Sequence, residues 1–166
     1  SQANCCNDGP CGLRGRQVFG NRAPLDCGGH EKGEQANVRI LITGGAGFIG
    51  SHLAEACLNR GDEVYIIDDL STGSLTNLEH LQKDERYKWR LYFVQDTILN
   101  REIMTELVGT CDVVFHLAAA VGVQYIIDNP LTSIITNVRG TEIMLELCAK
   151  FKKKIVLAST SEVYGK

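Results

Sequence analysis

The chain has no excess of positive charge: 17 Lys and Arg against 20 Asp and Glu leave a net charge of −3 over 166 residues, with a pI near 5.8. That excludes the basic footprint with which proteins hold nucleic acid. The run Lys150, Lys152, Lys153 and Lys154 does not alter this, because it falls at the end of an expected helix, where cations complement the helix dipole. Nor is there an apolar stretch near the ~20 residues that cross a bilayer; the longest, 113–123, is interrupted by His116. No charged-then-apolar secretory segment precedes the periodic part of the chain, and no internal repeat is visible. The expectation is a soluble cytoplasmic protein without membrane or nucleic-acid partners, long enough for one domain with a sizeable core.

The periodicity is also absent from one end. Residues 1–36 are rich in glycine and polar side chains, hold Cys5, Cys6, Cys11 and Cys27, and show neither helical nor strand spacing, so they read as a disordered leader. A metal site built from these cysteines and His30 is a weaker reading, since only Cys27 and His30 make a plausible pair. A disulfide framework would need an oxidising compartment, for which nothing else argues. Cys57, Cys111 and Cys148 fall in or beside apolar periodic segments and read as small core residues.

What is present begins at residue 37. The stretch ILITGGAGFIG at 40–50 is an apolar strand that runs into Gly44, Gly47 and Gly50 at the mouth of an expected helix. A dinucleotide diphosphate requires this arrangement: a sharp strand-to-helix turn, the free N–H groups of the helix start aimed at the anion, and no side chains in the way. Gly44 serves the turn, Gly47 the close backbone approach and Gly50 the packing of helix on strand. The spacing GxxGxxG alone would fit an ordinary tight turn. A second apolar strand, 63–67, gives it context, because it ends in Asp68, near the ~20-residue offset of an acid that binds the adenosine ribose.

From there strand and helix patterns alternate, the signature of an α/β, doubly wound parallel sheet of Rossmann type. Strands are expected at 38–43, 63–67, 90–95, 113–117 and 155–158, in the spatial order 3-2-1-4-5. Helices are expected at 48–60, closed by Gly61, at 101–108, and from Pro130 to about residue 151. Ile134, Ile135, Val138, Leu145 and Cys148 supply that last helix with an apolar stripe. Ligands of such sheets lie at the carboxyl ends of the strands. There the sequence places Asp68 and Asp69, with no arginine close behind to receive a 2′-phosphate, so NAD is preferred over NADP. Asp96 follows the third strand, where it could meet an adenine amino group or serve as a helix cap. The fourth ends in HLAAAVG; His116 lies inside the strand and reads as a satisfied core residue, not a catalyst. The fifth ends in ASTSEVYGK, with Thr160, Ser161 and Glu162 at the crevice mouth.

In this order, TGGAGFIG at 43–50, DDLSTG at 68–73, HLAA at 116–119, NVRGT at 137–141 and STSEVYG at 159–165 resemble the extended short-chain dehydrogenases/reductases. These are the NAD-dependent epimerase/dehydratase family of nucleotide-sugar enzymes. The resemblance covers 38–166. It implies NAD as cofactor, with Gly44, Gly47 and Gly50 at the diphosphate, Asp68 at the ribose, Asp96 at the adenine, and Phe48, Ile49 and Asp69 also in the cofactor site. Leu117, Ala118, Ala119 and Asn137 complete the implied cofactor site. Residues 37–166 are then an NAD-binding domain, incomplete at the C-terminus, of a parent enzyme that the resemblance implies is a homodimer.

The resemblance also implies a reaction: a sugar hydroxyl is oxidised at C4, a second step follows, and the hydride usually returns. The family's general base is a tyrosine in a YxxxK motif, assisted by a Ser or Thr, and Thr160 is the matching hydroxyl. Tyr164 belongs to the VYG turn and is expected to pack. No YxxxK occurs among the 166 residues, so the chain alone is expected not to turn over a nucleotide sugar. Dehydratases of the family carry an Asp-Glu pair where this chain has Ser161 and Glu162. The TSE segment instead resembles UDP-glucuronate decarboxylases, with 4-epimerases close behind; a nucleotide-binding module without turnover remains the alternative.

Overall fold

The computed structural model describes residues 18–19 and 37–165. A two-residue strand, β1 (Val18–Phe19), precedes β2 (Arg39–Thr43), β3 (Glu63–Asp68), β4 (Leu91–Gln95), β5 (Val113–His116) and β6 (Lys154–Leu157). The sheet runs β1-β4-β3-β2-β5-β6. All pairs among β2 to β6 are parallel, so the expected order 3-2-1-4-5 describes these five strands. β1 is antiparallel to β4, with Val18 opposite Val94 and Phe19 opposite Phe93. This departs from the reading of 1–36 as a leader without regular structure. The physical reason is the open edge of β4, whose unpaired backbone groups accept a short β-prone segment. The other leader positions, including Cys5, Cys6, Cys11, Cys27 and His30, lie outside the described residues.

The helices form where the local chemistry starts and stops them. α1 (Phe48–Arg60) ends at Gly61 with φ 105°, and the N–H groups of Gly61 and Asp62 return to the carbonyls of Leu58 and Cys57. After α2 (Glu79–Lys83), α3 (Arg101–Thr110) is capped by Asn100, whose side chain accepts from the Ile103 N–H at 3.4 Å. α4 (Val123–Asp128) leads to a continuous helical segment composed of α5 (Pro130–Ile134), a wide π turn (Ile135–Arg139) and α6 (Gly140–Phe151). The long helix is therefore present, but its core face is not the expected stripe. Gly140, Ile143, Met144, Leu147 and Cys148 are buried, whereas Ile134, Ile135, Val138 and Leu145 are exposed. The π turn adds a residue and shifts the phase, and the helix has two apolar faces between which a 3.6 period cannot choose.

Burial on both sides of the sheet follows from strand alternation. Leu41, Tyr65, Ile67, Val94 and Val114 point to α3 and α6 and join Met104, Leu107 and Met144 in one core. Ile40, Ile42, Val64, Ile66 and Phe93 point to α1 and α2 and join Leu58, Leu78 and Leu81 in the other. Cys57, Cys111 and Cys148 are buried free thiols in these cores, and burial pushes the Cys111 thiol up to about 12. The amino ends of the strands are tied by ion pairs. The Arg39 guanidinium donates twice to Asp112, at 3.2 and 3.0 Å, and Asp62 accepts from the Val38 N–H and from Arg60.

Candidate functional site

At the opposite, carboxyl ends of the strands lies a crevice of about 360 Å³. Its floor is the turn from β2 into α1. Gly44 holds φ +72°, and a Cβ there would lie 2.9 Å from the backbone of Ala118. A Cβ on Gly50 would collide with the Gly44 carbonyl and lie 2.6 Å from the Gly45 Cα. Glycine at both positions is therefore a packing requirement as well as a conformational one. The first turn of α1 starts at Gly47 with neither a side-chain cap nor an acidic residue. Its leading N–H groups have no intrahelical acceptor, so the helix start presents donors and a partial positive charge to the crevice. Phe48 and Ile49 line it and are 77% and 69% exposed.

Asp68 ends β3 and is buried. One carboxylate oxygen accepts from the Ala46 N–H and the other from the Leu70 N–H, both at 2.9 Å. Leu70 reaches that position by adopting φ 62°, a left-handed backbone that a leucine rarely takes. Burial raises the carboxyl pKa above its ordinary value, against the two N–H donors that lower it. Each oxygen keeps a further lone pair, enough for a vicinal diol. Asp69 is exposed beside it and accepts from the Ser71 N–H at 2.9 Å.

Asp96 also lines the crevice. Its carboxylate accepts from the Thr97 N–H at 2.8 Å and the Asn100 amide at 3.1 Å, so Asn100 caps α3 and Asp96 supports the cap. On the far wall Leu117, Ala118 and Ala119 follow β5. Asn137 is not on the wall. Its amide instead brackets Ala120, accepting from that N–H at 2.7 Å and donating to its carbonyl at 3.2 Å. The crevice thus gathers Gly44, Gly47, Phe48, Ile49, Gly50, Asp68, Asp69, Asp96, Leu117, Ala118 and Ala119, while Asn137 acts one residue behind.

The expected hydroxyl end is placed differently. Thr160 is exposed beyond β6 and does not line the crevice; its carbonyl accepts from the Val163 N–H at 3.4 Å. Ser161 and Glu162 begin the short helical turn Ser161–Tyr164, and their side chains lie outside the described residues. Tyr164, expected to pack, is 90% exposed, because nothing among the described residues lies over that turn.

Sequence reading missed Ile98, Ser71, Thr132 and Thr136 on the wall. It also missed the polar contacts of His116, a buried residue as expected. His116 Nδ1 lies 2.8 Å from Thr43 Oγ1 and Nε2 lies 3.3 Å from Thr141 Oγ1. Thr43 ends β2 and Thr141 lies in NVRGT, so both motifs were visible; their meeting was not.

Known proteins are similar to this chain in sequence and in fold. The family model described as GDP-mannose 4,6 dehydratase matches residues 41–166. UDP-N-acetyl-alpha-D-glucosaminuronate decarboxylase of Bacillus cytotoxicus is 46% identical over 77% of the chain and 38% of its own length. UDP-glucuronic acid decarboxylase 1 of Arabidopsis thaliana is 38% identical over 77% of the chain and 27% of its own length. Among solved structures, a dTDP-glucose 4,6-dehydratase from Streptomyces venezuelae with NAD and TYD bound superposes with a TM-score of 0.69 at 34% identity, over 77% of the chain and 41% of its own. The chain thus spans well under half the length of these relatives. With the glycine turn, the acid at the end of β3 and a matching model over most of its residues, the chain belongs to the GDP-mannose 4,6 dehydratase family, among the NAD-dependent epimerase/dehydratase members of the extended short-chain dehydrogenases/reductases.

Proposed function

We propose that this chain forms the NAD-binding portion of an enzyme that modifies a UDP-sugar, by transient oxidation at C4 followed by decarboxylation or epimerisation. The observation that carries it is the convergence in one crevice of the uncapped start of α1 and the buried Asp68 carboxylate. These groups fit the two polar parts of a dinucleotide: N–H donors for a diphosphate and a carboxylate for a ribose diol. NAD, when bound, supplies a hydride acceptor. In this reading the Gly47, Phe48 and Ile49 backbone holds the diphosphate, Asp68 and Asp69 the ribose, and Asp96 the adenine. Leu117, Ala118 and Ala119 admit the rest of the cofactor without obstruction, and Asn137 holds their loop. Asp68 and Asp69 oppose a 2′-phosphate by like charge, which favours NAD over NADP.

Residues 37–166 are the cofactor domain in this proposal and 1–36 a leader. Thr160 binds the reacting sugar oxygen, and Ser161 and Glu162 complete the catalytic segment. The two curated relatives named above are decarboxylases, which supports decarboxylation over epimerisation. The exposed apolar residues Leu131, Ile134 and Val138 on α5 and the following turn suit a homodimer, and a cytoplasmic location belongs to the same proposal. A second reading is a nucleotide-binding module without turnover, which the cofactor crevice would equally serve.

Calorimetric titration with NAD and NADP tests the cofactor assignment; equal or tighter NADP binding would overturn it. Incubation with NAD and UDP-glucuronate or UDP-glucose separates the two readings. Carbon dioxide with UDP-xylose, or the 4-epimer, lost on Thr160→Val, would show that these residues carry a complete active site and would rule out the module.

A further inference from the structure

We propose that His116 is a positioning residue, a neutral imidazole protonated on Nε2 that joins the end of β2 to the helix behind the crevice and so fixes the backbone of Ala118 and Ala120 along its wall. Relevance to the cofactor rests on the reading given under Proposed function; the hydrogen-bond order does not.

The direction of each bond follows from proton counting. Thr141 Oγ1 lies 2.6 Å from the Asn137 carbonyl, which can only accept, so the Thr141 proton is committed there. Thr141 Oγ1 is then an acceptor toward His116 Nε2, and Nε2 must carry a proton. At the other end Thr43 Oγ1 accepts from the Ala118 N–H at 3.1 Å. Its own proton points to His116 Nδ1, which accepts if the ring is neutral. The chain of donors therefore runs from the Ala118 N–H through Thr43 to His116, and from His116 through Thr141 to the Asn137 carbonyl. Every proton in it has one acceptor. A protonated ring would place a second hydrogen between Nδ1 and Thr43, in a strand end with no exposed surface. Burial lowers the imidazole pKa, in keeping with the neutral form.

The far end of the relay returns to the crevice. Asn137 lies within the π turn Ile135–Arg139 and brackets both polar atoms of the Ala120 backbone. The loop after β5 is thus held at Ala118 from the strand side and at Ala120 from the helix side, with His116 linking the two. Ala118 in turn closes the space above Gly44.

The test uses the whole chain. Nitrogen NMR of the unmodified protein identifies the ring tautomer: a pyrrole-like Nε2 and a pyridine-like Nδ1 are expected, and the reverse pattern overturns the proposal. Amide exchange without ligand should accelerate at Ala118 and Ala120 in Thr141→Val, and NAD binding should weaken about tenfold, the scale of one lost buried hydrogen bond. Thr141→Ser should restore both. Asp112→Asn, which loosens the far end of the sheet, should leave loop exchange and NAD affinity unchanged at matched stability. Unchanged exchange at Ala118 and Ala120 in Thr141→Val overturns the proposal. Failure of the unmodified chain to bind NAD would instead sink the cofactor reading, while tautomer and exchange still decide the role of His116.

Discussion

Asp68 and His116 are both buried, and the two are handled oppositely. Burial raises the Asp68 carboxyl pKa, and two backbone N–H groups that donate to it oppose that shift. Asp68 has spare acceptors facing the crevice, so removing it should cost binding more than its exposed neighbour would. Asp68→Ala is expected to weaken NAD binding about 30-fold, or about 2 kcal/mol for hydrogen bonds to a charged group, and to narrow the preference over NADP. Calorimetry on both cofactors reads this; an unchanged NAD affinity would place the ribose elsewhere. His116 has its folded pKa lowered by burial. The unfolded chain then binds more protons than the folded one below the ordinary histidine value, and stability falls as pH drops. The contribution is complete above pH ~6.5, the reference value, and is lost as pH falls from there through the folded pKa. Urea unfolding at steps from pH 7.5 to 5.5 should show this loss, and His116→Gln should remove that part of the slope.

At the scale of elements, legibility depended on whether the cause was local. Helix α1 begins at Phe48 and ends at Arg60 as the glycines on either side require, and all five parallel strands fall within one or two residues of their apolar runs. β1, α2 and α4 were not legible. β1 exists through the edge it meets, and α2 and α4, with 5 and 6 residues, are too short to show a helical period in sequence. The phase of α6 was misread because neither of its two apolar faces is marked by sequence as the inner one. The site divides the same way. The residues that line the crevice sit in local motifs, whereas the Thr43 and His116 pair is 73 positions apart and needs the sheet to exist. One end of α6 invites a test of local chemistry: Lys152 closes it at φ 54°, exposed, with its N–H returning to Ala149. A side chain in that left-handed region is strained and glycine is not. Lys152→Gly should stabilise the chain by about 0.5–1 kcal/mol, seen as a higher urea midpoint at constant m. A lower midpoint would mean that the Lys152 side chain contributes more than its backbone strain.

For the whole molecule the two ends of the sheet divide the work. The amino ends are tied by Arg39 with Asp112 and by Asp62, which bind strands to one another. The carboxyl ends are open, and the crevice takes its wall from the termini of β2, β3, β4, β5 and β6 together. No single element holds the site, so a ligand there engages the folded sheet and has no counterpart in the unfolded chain. Binding should therefore appear as global stabilisation. At a free NAD concentration about 100 times Kd the gain is about 2.7 kcal/mol. For a chain of this size that corresponds to a rise in Tm of roughly 10 °C. NADP at the same concentration should raise Tm less, because its 2′-phosphate meets Asp68 and Asp69 with no arginine among the described residues that line the crevice. Asp68→Ala should bring the two shifts together. Scanning calorimetry across a concentration series of each cofactor makes the comparison, and the NAD shift must grow with the logarithm of concentration. A shift that is equal for both cofactors in the unmodified chain, or none up to millimolar NAD, would mean that the crevice does not take a dinucleotide in the orientation Asp68 implies.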